Sequence, residues 1–223
     1  MTPRRIKTKL PAPLAPPEPK AVDTYHHGNL REALIACGLH QLNVGGIQQL
    51  SLRGVAKMAG VSPAAPGHHF SDKEGLLAAI GAQGFRDLTA LRLSRLSELE
   101  DPEARVRAVF SAYVEFALER PALFHLMFGP EIANKAAHPD FLSESERSYR
   151  LLTTVLEAFL EDRTGQVVAA EVAAFSLWVA AHGLATLLAD KQRAPRFVVK
   201  RSLEQLCTDQ CSIVLQGLLA QQR

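Results

Sequence analysis

Apolar residues recur along this chain at intervals of three and four, the period of an α-helix, and no stretch alternates like a strand between turn signals. Leu30, Ala33, Leu34 and Cys37 form one stripe, and Ile35, Leu39 and Leu42 a second. A helix with two apolar faces packs between neighbours, and Gly45-Gly46 ends this one. Ser51 is placed to cap a short helix in which Leu52, Val55, Ala56 and Ala59 keep the spacing, until Gly60 stops it. Ser62 then caps a second short helix. Pro63 takes its first position, where a missing N–H costs little, and Pro66 falls where the first intrahelical bond would form. Phe70 closes this element, and Ser71 with Glu74 makes an S-x-x-E capping box that opens a long helix through Leu76, Leu77 and Ile80.

Beyond Asp101-Pro102, a cap followed by proline, Val106, Val109, Phe110, Tyr113 and Ala117 line one face of a further helix. Pro121 starts a short apolar one that Gly129-Pro130 terminates, and 139–162 carries Tyr149, Leu152, Leu156 and Phe159 on a stripe. The apolar run 167–189, interrupted by Glu171, Ser176, His182 and Thr186, reads as a helix buried on all sides, with a membrane span as the alternative. A last helix runs from about Phe197 to Gln221, with Leu203, Leu206, Cys207, Val214 and Leu218 aligned. The fold class predicted is all-α, with about nine helices: a tail over 1–24, a three-helix helix-turn-helix domain over 25–75, and a larger helical domain over 76–223.

Composition narrows this picture. With 223 residues, 47% hydrophobic and 22% charged, the chain is that of an ordinary globular protein. The formal net charge of +2 means that any basic surface is local. Cys37, Cys207 and Cys211 cannot all pair within one chain, so a reducing cytoplasm is expected. The tail has five basic residues, Arg4, Arg5, Lys7, Lys9 and Lys20, against Glu18 and Asp23, and too few apolar groups to order itself when free. It is either a solvated tail or an arm that lies along DNA. No Ser/His/Asp set, glycine-rich phosphate loop or pair of carboxylates on a common face is present. An enzyme is therefore not the expected class, and no cofactor is predicted.

Two short helices joined by a tight glycine turn, Ser51 to Phe70, have the layout of a helix-turn-helix. Small Ala56 permits close approach, Gly60 takes a turn conformation that a β-carbon resists, and Val61 plugs the joint. The segments YHHGNLREAL, SLRGVAKMAGVS and HHFSDKEGLL, in this order, resemble the DNA-binding domain of the TetR family of bacterial regulators. Trp178, His182 and Gly183, with FALERPALFHLMF, resemble the subgroup whose C-terminal domain is named for a Trp, His and Gly signature. The resemblance implies a dimer formed through the last two helices, a near-palindromic double-stranded DNA operator and a small-molecule effector.

Residue by residue, Ser51 and Arg53 are expected to meet phosphates at the start of the first short helix. Ser62, Pro63, Ala64 and His68 face base edges, and Pro63 or Ala64 touches a thymine methyl. Lys73 is the expected phosphate clamp. Gly67 stands where the family usually carries an aromatic residue, commonly tyrosine. That departure removes a phosphate contact and leaves open a helix-turn-helix that has lost its function in a partner-binding module. His69 either packs inside or touches DNA.

In the larger domain, Tyr113, Phe116, Phe124, Met127, Phe128, Trp178 and His182 are expected to line an apolar pocket with one polar group; a filled core with a hydrogen-bonded histidine is the other reading. Cys207 and Cys211, one turn apart, invite a metal or redox role, but no fourth ligand stands at a zinc spacing, so core packing is expected and no metal site is predicted.

Overall fold

The computed structural model describes residues 30–164, 170–189 and 200–220. The proline-rich tail and the expected start of the last helix at Phe197 lie outside those residues. Among the described residues there are eight α-helices and no strand: α1 Leu30–Gln49, α2 Leu52–Met58, α3 Lys73–Leu96, α4 Pro102–Glu119, α5 Pro121–Phe128, α6 Pro139–Thr164, α7 Ala170–Ala189 and α8 Leu203–Ala220. Two 3-10 turns, Ala65–His68 and Lys135–Ala137, join them. The described residues form two compact units, one of 30–86 with 122–145 and the other of 87–121 with those from 146 onward. Both α3 and α6 run from one unit into the other.

In the N-terminal unit, Leu34, Cys37, Val55, Ala56, Leu76 and Ile80 are completely buried. Each of the larger ones contributes roughly 1.5–3 kcal/mol by leaving water. The α1 backbone breaks at Gly46, whose φ of 67° is left-handed. Ser51 then caps α2, its Oγ accepting from the Gly54 N–H at 3.1 Å. The far end of α2 is a Schellman motif: the Val61 N–H donates to Ala56 O at 3.0 Å and the Gly60 N–H to Lys57 O at 3.2 Å. Gly60, at φ 70°, is the residue that makes this closure possible.

The second short element departs from the expected α-helix opening at Ser62. It is a 3-10 turn over Ala65–His68, with Ala65 N bonded to Ser62 O and Gly67 N to Ala64 O, both at 3.0 Å. Pro66 is the cause, because it lacks the N–H that would reach Ser62 O in an α-helix. The cap of α3 also differs from the predicted box. Asp72, not Ser71, accepts from the Gly75 N–H, at 2.8 Å. Glu74 turns outward instead and accepts from the Asn134 N–H at 3.0 Å and meets His138 Nε2 at 3.3 Å.

The Asn134 N–H, and behind it His138, hold the Glu74 carboxyl below the ordinary carboxylate range. A lowered folded-state value means that this tie is complete above about pH 4.5 and is lost as pH falls through the depressed value. The protection factor of the Asn134 amide, the intrinsic exchange rate divided by the observed rate at the same pH, is expected to fall as pH drops through the depressed Glu74 value. In Glu74→Gln that protection factor should be lower at neutral pH and should not change across the carboxylate range.

The second unit packs α7 against α4 and α8. Asp101 caps α4 through the Ala104 N–H at 2.7 Å, with Pro102 at the first position, as the sequence predicts. Val106, Val109, Phe110, Tyr113 and Ala117 are buried along its inner face. Helix α7 is long and apolar enough to cross a membrane. It is not buried on all sides, as its composition suggested. Val172, Phe175, Val179 and Leu187 are 63, 55, 49 and 45% exposed, because among the described residues α7 packs on α4 and α8 through its other side.

Candidate functional site

The residues expected to meet DNA all belong to the N-terminal unit, and Ser51, Arg53, Ser62, Pro63, Ala64, Gly67, His68 and Lys73 are all exposed. The Schellman closure and Pro66 fix the backbone between them, while Val55, Ala56 and Phe70 face inward. The Ser51 hydroxyl accepts from α2 and keeps its own proton to donate, so one side chain caps a helix and remains a hydrogen-bond donor. Lys73 Nζ donates to Ile47 O at 3.0 Å, which holds its ammonium beside the α1 break. His69 is half-buried. It lines a cleft of about 210 Å³ with Arg31, Phe70, His138, Asp140 and Phe141. Arg31 spans that cleft, pairing with Asp140 at 3.1 Å and lying 5.8 Å from the Phe70 ring centroid.

In the second unit, three of the residues expected to bind a ligand are joined directly. Trp178 Nε1–H donates to Tyr113 Oη at 3.1 Å, and Oη lies 2.8 Å from His182 Nδ1. Burial lowers the His182 pKa, which favours the neutral ring and leaves Nδ1 able to accept the tyrosine proton. Desolvation of Tyr113 holds its hydroxyl protonated. Tyr149 meets the edge of Trp178 at 6.4 Å between centroids. Phe116 is fully buried with the Arg120 guanidinium over its ring at 5.7 Å. Phe124, Met127 and Phe128 belong to the other unit, where Phe124 and Phe128 pack at 4.9 Å and Phe85 meets Phe128 at 5.5 Å.

Sequence reasoning passed over Arg92 and Thr89. Arg92 is 3% exposed, and its Nη1 donates to Ser148 O and Oγ at 3.1 and 3.2 Å. Its guanidinium carbon lies 5.2 Å from the Tyr113 ring centroid. Burial pulls its pKa down to about 10, so it stays charged at neutral pH. The available signal was register, since Arg92 follows Leu88 and precedes Leu96 by four residues each on a buried stripe. Cys207 and Cys211 are buried, and desolvation raises their thiols to about 12 and 11, so both are protonated and unreactive at neutral pH. No cluster of three metal-ligating side chains occurs among the described residues.

A capped helix, a Schellman turn and a second element whose outer residues are all exposed, in a chain with a separate helical unit, define a DNA-binding regulator of the helix-turn-helix class. Residues 34–80 match the family model for bacterial regulatory proteins of the tetR family, and 106–209 match that for the tetracyclin repressor-like C-terminal domain. The chain belongs to the TetR family, and is a transcriptional regulator rather than an enzyme.

A solved structure of a protein of unknown function from Rhodococcus sp. RHA1 is 34% identical, covering 87% of this chain and 98% of that one with a TM-score of 0.74. A transcriptional regulator from Rhodococcus sp. Rha1 is 30% identical over 84% of this chain and 96% of its own, with a TM-score of 0.59. The HTH-type transcriptional regulator BetI of Burkholderia cenocepacia (strain HI2424) is 36% identical over 83 residues, 37% of this chain. The match spans 43% of that curated relative's length. Regulators of this family bind DNA operators and small-molecule effectors and act as dimers.

Proposed function

We propose that this protein is a cytoplasmic repressor that grips a near-palindromic operator as a homodimer and responds to a small molecule held in its second unit. The observation that carries the reading is the exposure of all eight candidate DNA contacts on a backbone fixed by the Gly60 closure and Pro66. Ser51 and Arg53 meet phosphates at the start of α2, helped by its free N–H groups. Ser62, Pro63, Ala64 and His68 face base edges, and Lys73 leaves Ile47 O to clamp a phosphate. The dimer forms through α7 and α8. The effector site centres on Tyr113, Trp178 and His182, and the sequence pattern of those last two with Gly183 supports assignment to the Trp-His-Gly subgroup. Helix α3 links the two units, and its displacement on ligand binding shifts the population between DNA-competent and DNA-incompetent spacings.

The experiment is a salt titration of operator binding. Lys73→Ala is expected to lower affinity for every DNA sequence and flatten the salt slope by about one. Unchanged specific binding would count against the assignment.

Gly67 favours a second reading, a helix-turn-helix that no longer binds DNA. A β-carbon built on Gly67 meets nothing within 4 Å, so a side chain fits there without rearrangement. Gly67→Tyr is expected to tighten operator binding by roughly tenfold, about half from reduced backbone freedom and half from one phosphate contact. If neither the natural chain nor this variant binds any fragment of its genome in a mobility-shift selection, the second reading holds.

A further inference from the structure

We propose that the effector is a small organic carboxylate, and that its head group enters the second unit to pair with Arg92 and accept the hydroxyl proton of Thr89. This rests on the reading of that unit as effector-binding and names the chemistry that it recognises. Arg92 and Thr89 are 3 and 5% exposed, three residues apart on one face of α3. Arg92 Nε and Thr89 Oγ1 are both buried without a hydrogen-bond partner.

The guanidinium uses only Nη1, on two neutral oxygens of Ser148, and its Nε–Nη2 edge makes no hydrogen bond. Among the described residues no aspartate or glutamate pairs with it. The same unit shows how this fold neutralises a buried arginine when the role is structural. Arg120, 8% exposed, pairs with Asp87 at 2.5 Å. A buried cation without a countercharge opposes folding, so its presence calls for an anion from outside the chain.

The unoccupied edge also selects the anion. Two parallel N–H groups in one plane match the two oxygens of a carboxylate, and Thr89 supplies a third donor. The Tyr113 ring stacked on Arg92 provides an apolar wall for the remainder of the molecule. Through Tyr113 Oη the site connects to Trp178, the only tryptophan of the chain, which reports its occupation.

The test uses the full chain with hexanoate, octanoate, decanoate and benzoate, each beside its own amide, and octyl phosphate as a second anion. Binding is read from Trp178 emission and thermal shift. At least one acid is expected to bind saturably, with its amide at least tenfold weaker and octyl phosphate weaker than octanoate. Arg92→Met is expected to abolish the preference for acid over amide, and Arg92→Lys to retain part of it. If Arg92→Met does not fold, Thr89→Val serves instead and is expected to weaken the acid several-fold while leaving the amide unchanged.

Binding of amides as tightly as acids, a preference that survives Arg92→Met, or no binding by any acid overturns the inference. Operator binding is measured separately on the ligand-free chain. Neutral or cationic compounds that release the operator while acids do not would remove the carboxylate and leave the regulator. A ligand-free chain that binds no operator would remove the regulator, whatever the acids do.

Discussion

Val179→Glu is expected to leave the protein monomeric in sedimentation and to weaken operator binding by about a hundredfold or more. Val172, Phe175, Val179 and Leu187 recur on the outer face of α7, and Ile213 of α8, 63% exposed, adds to the apolar surface. A β-carbon at Gly183, between Val179 and Leu187, meets nothing within 4 Å, so the outer face is bare there. In the proposed homodimer a second subunit covers this apolar surface. Under two-fold symmetry each substitution enters the interface twice. A buried unpaired carboxylate costs several kcal/mol, and two exceed what a modest interface supplies. Losing the dimer separates the two reading heads, and with them an avidity of roughly a hundredfold to ten-thousandfold. A Val179→Glu protein that sediments as a dimer and binds the operator normally would place the subunit contact elsewhere.

The second large effect is at Gly60. Its φ of 70° lies in the left-handed region, where a β-branched side chain is a strained outlier. Gly60→Val is expected to destabilise the N-terminal unit by about 2 kcal/mol or more, since it opposes both Schellman bonds. Gly60→Asn, which tolerates this conformation, should cost less than half as much. Denaturant titration followed by tryptophan emission samples Trp178 in the second unit, so amide exchange at Val55 and Ala56 is the measurement that isolates the N-terminal loss. Equal stability of the valine and asparagine variants would refute the backbone account.

Much of this architecture is legible in local sequence. The helical period, the caps at Ser51 and Asp101 and the glycine closure at Gly60 are decided within a few residues. Two departures were local as well: Pro66 removes the N–H that an α-helix would use, and Asp72 competes successfully with Ser71 for the α3 cap. The others depend on partners distant in the chain. Glu74 leaves its expected capping role for Asn134, sixty residues on. Apolar composition around α7 cannot distinguish cover by the same chain from cover by a second copy.

Within the candidate effector site, Tyr113, Trp178 and His182 belong to the seven residues expected to line an apolar pocket with one polar group, and these three are directly bonded. Phe124, Met127 and Phe128 carry no such marker, and periodicity does not reveal which unit an aromatic side chain joins. Arg92 was not singled out, although its register with Leu88 and Leu96 places it inside.

The prolines at 63 and 66 have a consequence for how this regulator changes over time. Rigidity of the reading element comes from ring closure and the Gly60 turn, and its outward positions, Ser62 to Ala64, Gly67 and His68, add little to the core. Such positions are free to vary at small cost in stability. With these positions as the proposed base contacts, operator preference is evolvable by single substitutions, with the scaffold buffering each step.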